Sequence, residues 1–126
     1  MNSIERWVEQ ARYDLETARA MQQSGRYLYV VFCCQQAVEK ALKALIVQET
    51  SDFPPRLHNL PRLAEIAGVG LDPDREAFIG ELSGYYIQTR YPEEIECLST
   101  ALHRDTAAET LRRTDEVIQW LLSMLK

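Results

Sequence analysis

Three groups of polar side chains have the types and spacing to do chemistry. They are Glu39 with Lys40 and Lys43, then His58, then Arg90 amid Tyr85, Tyr86 and Tyr91. Glu39 and Lys43 stand four residues apart with the acid first, the favourable order for a pair on one helix face, worth a few tenths of a kcal/mol when exposed. His58 follows that stretch and can turn back toward its polar end, or cap and hydrogen-bond its own loop, with a carboxylate as the natural partner. Arg90 lies in Thr89-Arg90-Tyr91-Pro92. A guanidinium there can grip a carboxylate or phosphate through two bonds and stack on an aromatic face. The competing reading is an internal Arg–Glu pair that pins the chain. The candidate ligand- or partner-binding residues are therefore Arg90, Tyr91, Tyr86, Lys40, Lys43, Glu39 and His58.

Other chemistries find less support. Cys33 and Cys34 are adjacent, cannot readily bridge on a helix, and with Cys97, His58 and His103 match none of the familiar zinc spacings. Core or half-buried thiols and no metal are expected. Glu93, Glu94 and Glu96 read as a solvated acidic stretch rather than a cation site. No Gly-x-Gly-x-x-Gly, phosphate-binding loop or Gly-x-Ser-x-Gly occurs, which removes a conventional phosphate cradle, dinucleotide fold or hydrolase elbow. A net charge of −5 argues against a sequence-blind DNA-coating protein but leaves room for a local RNA or nucleotide site. The 126 residues, 46% hydrophobic and 26% charged, suit one domain with its own core. No apolar run is long enough to span a membrane. The opening residues lack the regions of a signal peptide. An odd number of cysteines argues for reduced thiols, so a cytoplasmic location is expected.

These side chains must be positioned by helices. Tyr27 to Val47 contains no Gly or Pro, and Val30, Val31, Cys34, Ala37, Val38, Ala41, Leu42 and Leu45 fall on one side at 100° per residue. Cys33 and Ala44 widen that arc to about half the wheel, which suits packing against more than one neighbour. Gln35, Gln36, Glu39, Lys40 and Lys43 form the remaining polar ridge. A first helix is expected over Ser3–Gln23, capped by Asn2 or Ser3, with Ile4, Trp7, Val8, Ala11, Leu15 and Ala18 on its core face. Gly25 suits a left-handed stop and a hairpin into the central helix. Pro54 and Pro55 end that helix. A short helix should start at Asn59 or Leu60 with Pro61 in its first turn, and another at Asp72-Pro73, running to about Thr89. Gly80 and Gly84 weaken the latter but allow a close helix approach. Arg90 to about Arg104 reads as an irregular link, and Asp105 to Leu125 as the last helix. The expected fold is all-α, an antiparallel up-and-down bundle of about five helices, four long and one short, in a single domain over residues 1–126.

Several blocks together resemble HEPN domains (higher eukaryotes and prokaryotes nucleotide-binding). They are Ala11-Arg12-Tyr13-Asp14-Leu15, the run Cys34 to Leu45, His58-Asn59-Leu60 and Thr89-Arg90-Tyr91-Pro92. The resemblance covers nearly the whole chain and is specific in combination. It implies a bundle of about five helices, frequent homodimers, and roles in nucleotide binding or RNA cleavage. It also implies a pairing of toxin–antitoxin type with a minimal nucleotidyltransferase. Nuclease-active members are similar in carrying an Arg followed, after four to six residues, by a His. Here Tyr91 to Cys97 contains no histidine; His103 is too distant, and Arg56-Leu57-His58 too close. Arginine stays protonated and carries protons poorly, whereas metal-free RNA cleavage needs an acid and a base. The expectation is a nucleotide- or partner-binding module without a confident catalytic set or cofactor. The alternatives are a metal-independent RNase toxin drawing on Arg90 and His58, and a purely structural dimeric scaffold.

Overall fold

A computed structural model describes residues 2–126. The chain is all-helical among them, with α1 (Ser3–Gln23), α2 (Tyr27–Thr50), α3 (Leu60–Ile66), α4 (Pro73–Gln88), α5 (Pro92–Ala101) and α6 (Arg104–Leu122). Asn2 caps α1 through a reciprocal box with Glu5, whose backbone N–H donates to the Asn2 side chain at 2.8 Å. Gly25 then takes a positive φ of 78° and turns the chain back. The α1–α2 hairpin forms one side of the bundle, α6 packs on α2 beside it, and α3 and α4 cover the rest. α2 touches each of the other helices, which is why its apolar arc is so wide. Val30, Val31, Cys34, Ala37, Val38, Ala41, Leu42 and Leu45 are all buried, as the periodicity requires.

Two expectations about the elements are corrected. The stretch read as an irregular link is mostly helix: α5 begins on Pro92, whose missing N–H costs nothing in a first turn, and Glu93 and Glu94 favour the positive end of the helix. The segment is short and Leu98 is its one buried residue, so although Ile95, Leu98 and Leu102 recur at helical spacing the apolar signal covers only about two turns. Pro92 does hold Tyr91 in extended backbone, but as the cap of a new helix rather than the end of order. α6 starts at Arg104 instead of Asp105, with the Thr106 hydroxyl accepting from the His103 N–H at 2.9 Å, and it closes at Leu122, short of Leu125. Among the described residues the bundle thus has six helices rather than about five.

The polar ridge of α2 is also not what the wheel suggests. Gln35, Glu39 and Lys43 are buried, at 0%, 4% and 6% exposure. Three polar groups at i, i+4 and i+8 inside a bundle must satisfy one another or lose several kcal/mol, and their partners organise the site.

Candidate functional site

The site grows outward from Glu39. Its carboxylate accepts from the Gln35 Nε2 at 3.1 Å and from the Lys43 Nζ at 3.1 Å, one turn to either side. The third donor arrives from the loop between α2 and α3: the His58 Nδ1 lies 3.1 and 3.2 Å from the two Glu39 oxygens. A carboxylate can only accept, so Nδ1 carries the proton and Nε2 bears the lone pair of the neutral ring. Nε2 makes no hydrogen bond among the described residues, and the His58 side chain is 43% exposed.

The loop is anchored on both sides of His58. Gln35 Nε2 donates also to the His58 carbonyl at 3.2 Å. Asn59 caps α3 by accepting from the Arg62 N–H at 2.9 Å, and the Ser83 hydroxyl of α4 accepts from the Leu60 N–H at 2.9 Å. Gln36 completes the cluster by donating to Gln35 Oε1 at 2.7 Å. The sequence places Gln35 on the ridge but gives it no role. The signal that marks it is the ladder Gln35, Glu39, Lys43, three groups one turn apart that can bond in series.

His58 stacks on Tyr86 of α4, with centroids 4.1 Å apart and planes at 12°. Arg90 stands over the same ring, its guanidinium carbon 4.0 Å from the centroid. Two planar groups cannot both occupy that distance over one face, so Tyr86 is held between them. Phe32 of α2 lies 5.7 Å from the guanidinium carbon. Arg90 is exposed and forms no ion pair among the described residues, so the internal Arg–Glu pin is not present. A stacked guanidinium keeps its N–H edge for another planar acceptor.

The structure thus brings Glu39, His58, Tyr86 and Arg90 into one chain of contacts. It separates the other candidates from them. Lys40 pairs with Asp14 of α1 at 2.6 Å, and Lys43 is buried between Glu39 and Trp7, its Nζ 5.6 Å from the indole ring. Neither presents a free ammonium beside Arg90. Tyr91 is 56% exposed next to Arg90, with no stacking contact to it. Tyr85 faces the other way: its hydroxyl donates to Glu81 at 3.2 Å, and burial together with that carboxylate pushes its pKa up to about 12.

The cysteines sit away from this site. Burial raises the Cys33 thiol to about 11 and the Cys34 thiol to about 12, while Cys97 is exposed on α5. No cluster of three or more His, Cys, Asp or Glu side chains suited to a metal ion occurs among the described residues. No helix among them is long and apolar enough to cross a membrane.

The comparisons with known proteins agree with this architecture. The family model described as HEPN domain matches residues 4–125. The crystal structure of TT1696 from Thermus thermophilus is similar with a TM-score of 0.84 and 28% identity, covering 99% of this chain and 100% of that one. The structure of ST0689, an archaeal HEPN homologue, is similar with a TM-score of 0.71 and 23% identity over 100% of both chains, a likeness of fold. No curated protein matches the chain.

Proposed function

The chain belongs to the HEPN family, and on that premise we propose that it is a non-catalytic binding module in which Arg90 grips the phosphate of a nucleotide or a carboxylate of a partner protein. The partner proposed from the family resemblance is a minimal nucleotidyltransferase, the two forming a pair of toxin–antitoxin type. The observation that carries this reading is the state of Arg90: exposed, oriented by Tyr86, and without a carboxylate of its own among the described residues. An ordered guanidinium with an open N–H edge is ready for a bidentate anion. The segment after Arg90 offers no histidine, and α5 puts Glu93 and Glu94 there instead, which supports binding over cleavage.

One observation favours a second reading, metal-independent RNA cleavage. Glu39 fixes the tautomer of His58, whose ring is partly exposed and whose Nε2 has no hydrogen-bond partner among the described residues, the arrangement a general base requires. Against it, the Tyr86 ring separates His58 from Arg90.

The test measures nucleotide binding by calorimetry and capture of a nucleotidyltransferase encoded beside the gene. Arg90→Ala should weaken whichever interaction is found by about 1.5–3 kcal/mol, the range of a charge-assisted hydrogen bond. The melting temperature should hardly move, because the side chain is exposed. Metal-free RNA cleavage by the wild type, lost in both Arg90→Ala and His58→Ala, would replace the binding reading with the nuclease one.

A further inference from the structure

A second guanidinium stands without a counter-ion, between α4 and α6. Arg113 of α6 lies over the Phe78 ring of α4, its guanidinium carbon 4.3 Å from the centroid, and forms no ion pair among the described residues. Arg75 of α4 makes the reciprocal contact, 3.9 Å over the Trp120 ring of α6. Both arginines border one cleft of about 370 Å³, a volume within the range of small-ligand sites. The carboxylates around it are not equivalent. Asp72 is paired with Arg75 at 2.6 Å, and Glu116 with Arg112 at 2.5 Å. Asp74 lines the cleft, is exposed, and has no ion pair among the described residues. Arg113 and Asp74 thus share the cleft without meeting, which leaves room between them for a ligand. A bare anion on Arg113 would face Asp74 and Glu116, and a bare cation on Asp74 would face Arg113. A molecule carrying both charges satisfies each.

We propose that this cleft binds a zwitterionic α-amino acid with an apolar side chain. The carboxylate sits on the Arg113 guanidinium and the ammonium on Asp74. Phe78 supports the flat face of Arg113 and leaves its N–H edge for two parallel bonds to the carboxylate. The side chain has its own place. Phe78 and Arg113 also border an adjoining groove of about 430 Å³, where Tyr85, Leu98 and Leu102 supply apolar walls. An α-amino acid projects carboxylate, ammonium and side chain from one carbon in three directions, and the site offers one feature for each. Glu81, Asp105 and Glu109 stand around the groove, so an acidic side chain meets like charge there. Arg90, His58 and Tyr86 line neither cavity, and the proposal does not depend on what Arg90 binds.

An NMR titration of the full chain with L-leucine tests it. L-leucine should bind with a millimolar or tighter dissociation constant and shift the resonances of Asp74, Phe78, Arg113 and the Trp120 indole that Arg75 covers. Leucinamide lacks the carboxylate and N-acetyl-leucine the ammonium. Each should bind at least about tenfold more weakly, the effect of losing one charge-assisted hydrogen bond. Arg113→Gln and Asp74→Asn should weaken L-leucine to the same extent. Asp74 is exposed, so its variant should keep the wild-type circular dichroism spectrum even if Arg113 is needed for folding. L-glutamate should bind more weakly than L-leucine. The absence of saturable L-leucine binding overturns the proposal. So does leucinamide or N-acetyl-leucine binding as tightly as L-leucine, a folded Asp74→Asn protein with undiminished affinity, or shifts confined to residues outside the cleft. L-glutamate bound as tightly as L-leucine overturns the placement of the side chain. No nucleotide or nucleotidyltransferase enters these measurements, so failure of the Arg90 reading leaves them untouched.

Discussion

Replacing Glu39 by Gln should cost far more than an ordinary helix ion pair. On a solvated surface the Glu39–Lys43 pair would contribute about 0.3–0.5 kcal/mol. Here the side chains are only 5% and 7% exposed, and the pair is 3.1 Å long. Removing one partner of a buried pair typically costs about 3–5 kcal/mol, because the other charge is left in a poor solvent. Two features lower that figure. The Gln carbonyl can still accept from His58, and Lys43 leans on the Trp7 ring, a contact worth roughly 0.5–1 kcal/mol or more. The expected loss for Glu39→Gln is about 2–4 kcal/mol. Lys43→Met should cost a similar amount, since the carboxylate then keeps only Gln35 and His58 as donors. The double variant Glu39→Gln/Lys43→Met should lose less than either single change, because no charge remains buried. Gln35 then retains the His58 carbonyl, and His58 can turn to water. Urea denaturation followed by circular dichroism gives the four free energies of the cycle, with the slope checked for two-state behaviour. A Glu39→Gln protein within about 0.5 kcal/mol of the wild type would refute the reasoning. So would single effects that simply add in the double.

Further outcomes can be stated briefly. Leu42 is fully buried on α2, so Leu42→Asp should remove several kcal/mol of stability, seen as a collapse of the melting temperature. Burial holds the Cys34 thiol protonated up to about 12 while the unfolded thiol ionises near 9, so the unfolded chain binds fewer protons between those values and stability falls as pH rises through that window. By pH 10 that thiol alone should account for about 1.4 kcal/mol of lost stability relative to pH 8, testable by urea melts and diminished in Cys34→Ala. A thiol reagent at pH 8 should modify exposed Cys97 and leave Cys33 and Cys34 intact until the chain unfolds, as mass spectrometry of labelled peptides would show.

The sequence discloses the fold through burial patterns, and its errors lie where burial is thin or polar. α1 and α2 carry long apolar stripes, so their starts and core faces are readable. α5 buries one leucine, and the spacing of Ile95, Leu98 and Leu102 is too short a pattern to set it apart from a loop behind Pro92. The ridge of α2 misleads for a different reason. A helical wheel sorts residues by polarity, whereas Gln35, Glu39 and Lys43 are buried because the ridge lies under the α2–α3 loop and beside Trp7 of α1. The sequence sets Arg90 amid Tyr85, Tyr86 and Tyr91 and allows a stack on an aromatic face without saying which; the structure puts the guanidinium over Tyr86. That the second face of Tyr86 belongs to His58 depends on how a proline-rich loop closes, which no local pattern specifies.

The order of support runs from the core to the surface. Gln35 and Lys43 would reach Glu39 in any helix with this sequence, since they stand one turn away on the same face. Their bonds are local. The His58 contacts are tertiary, and they decide which conformation the loop adopts. A carboxylate buried with only intrahelical donors would keep unused acceptor capacity, so docking of the His58 Nδ1 and closure of the loop satisfy the same need. Once His58 is fixed, its ring covers one face of Tyr86 and leaves the other for Arg90. Arg90 is thereby ordered without a counter-ion, an arrangement that an ion pair could not provide, because an ion pair would use the N–H edge that a ligand needs. If Arg90 binds an anion as proposed above, the buried polar ladder of α2 is the foundation of that site.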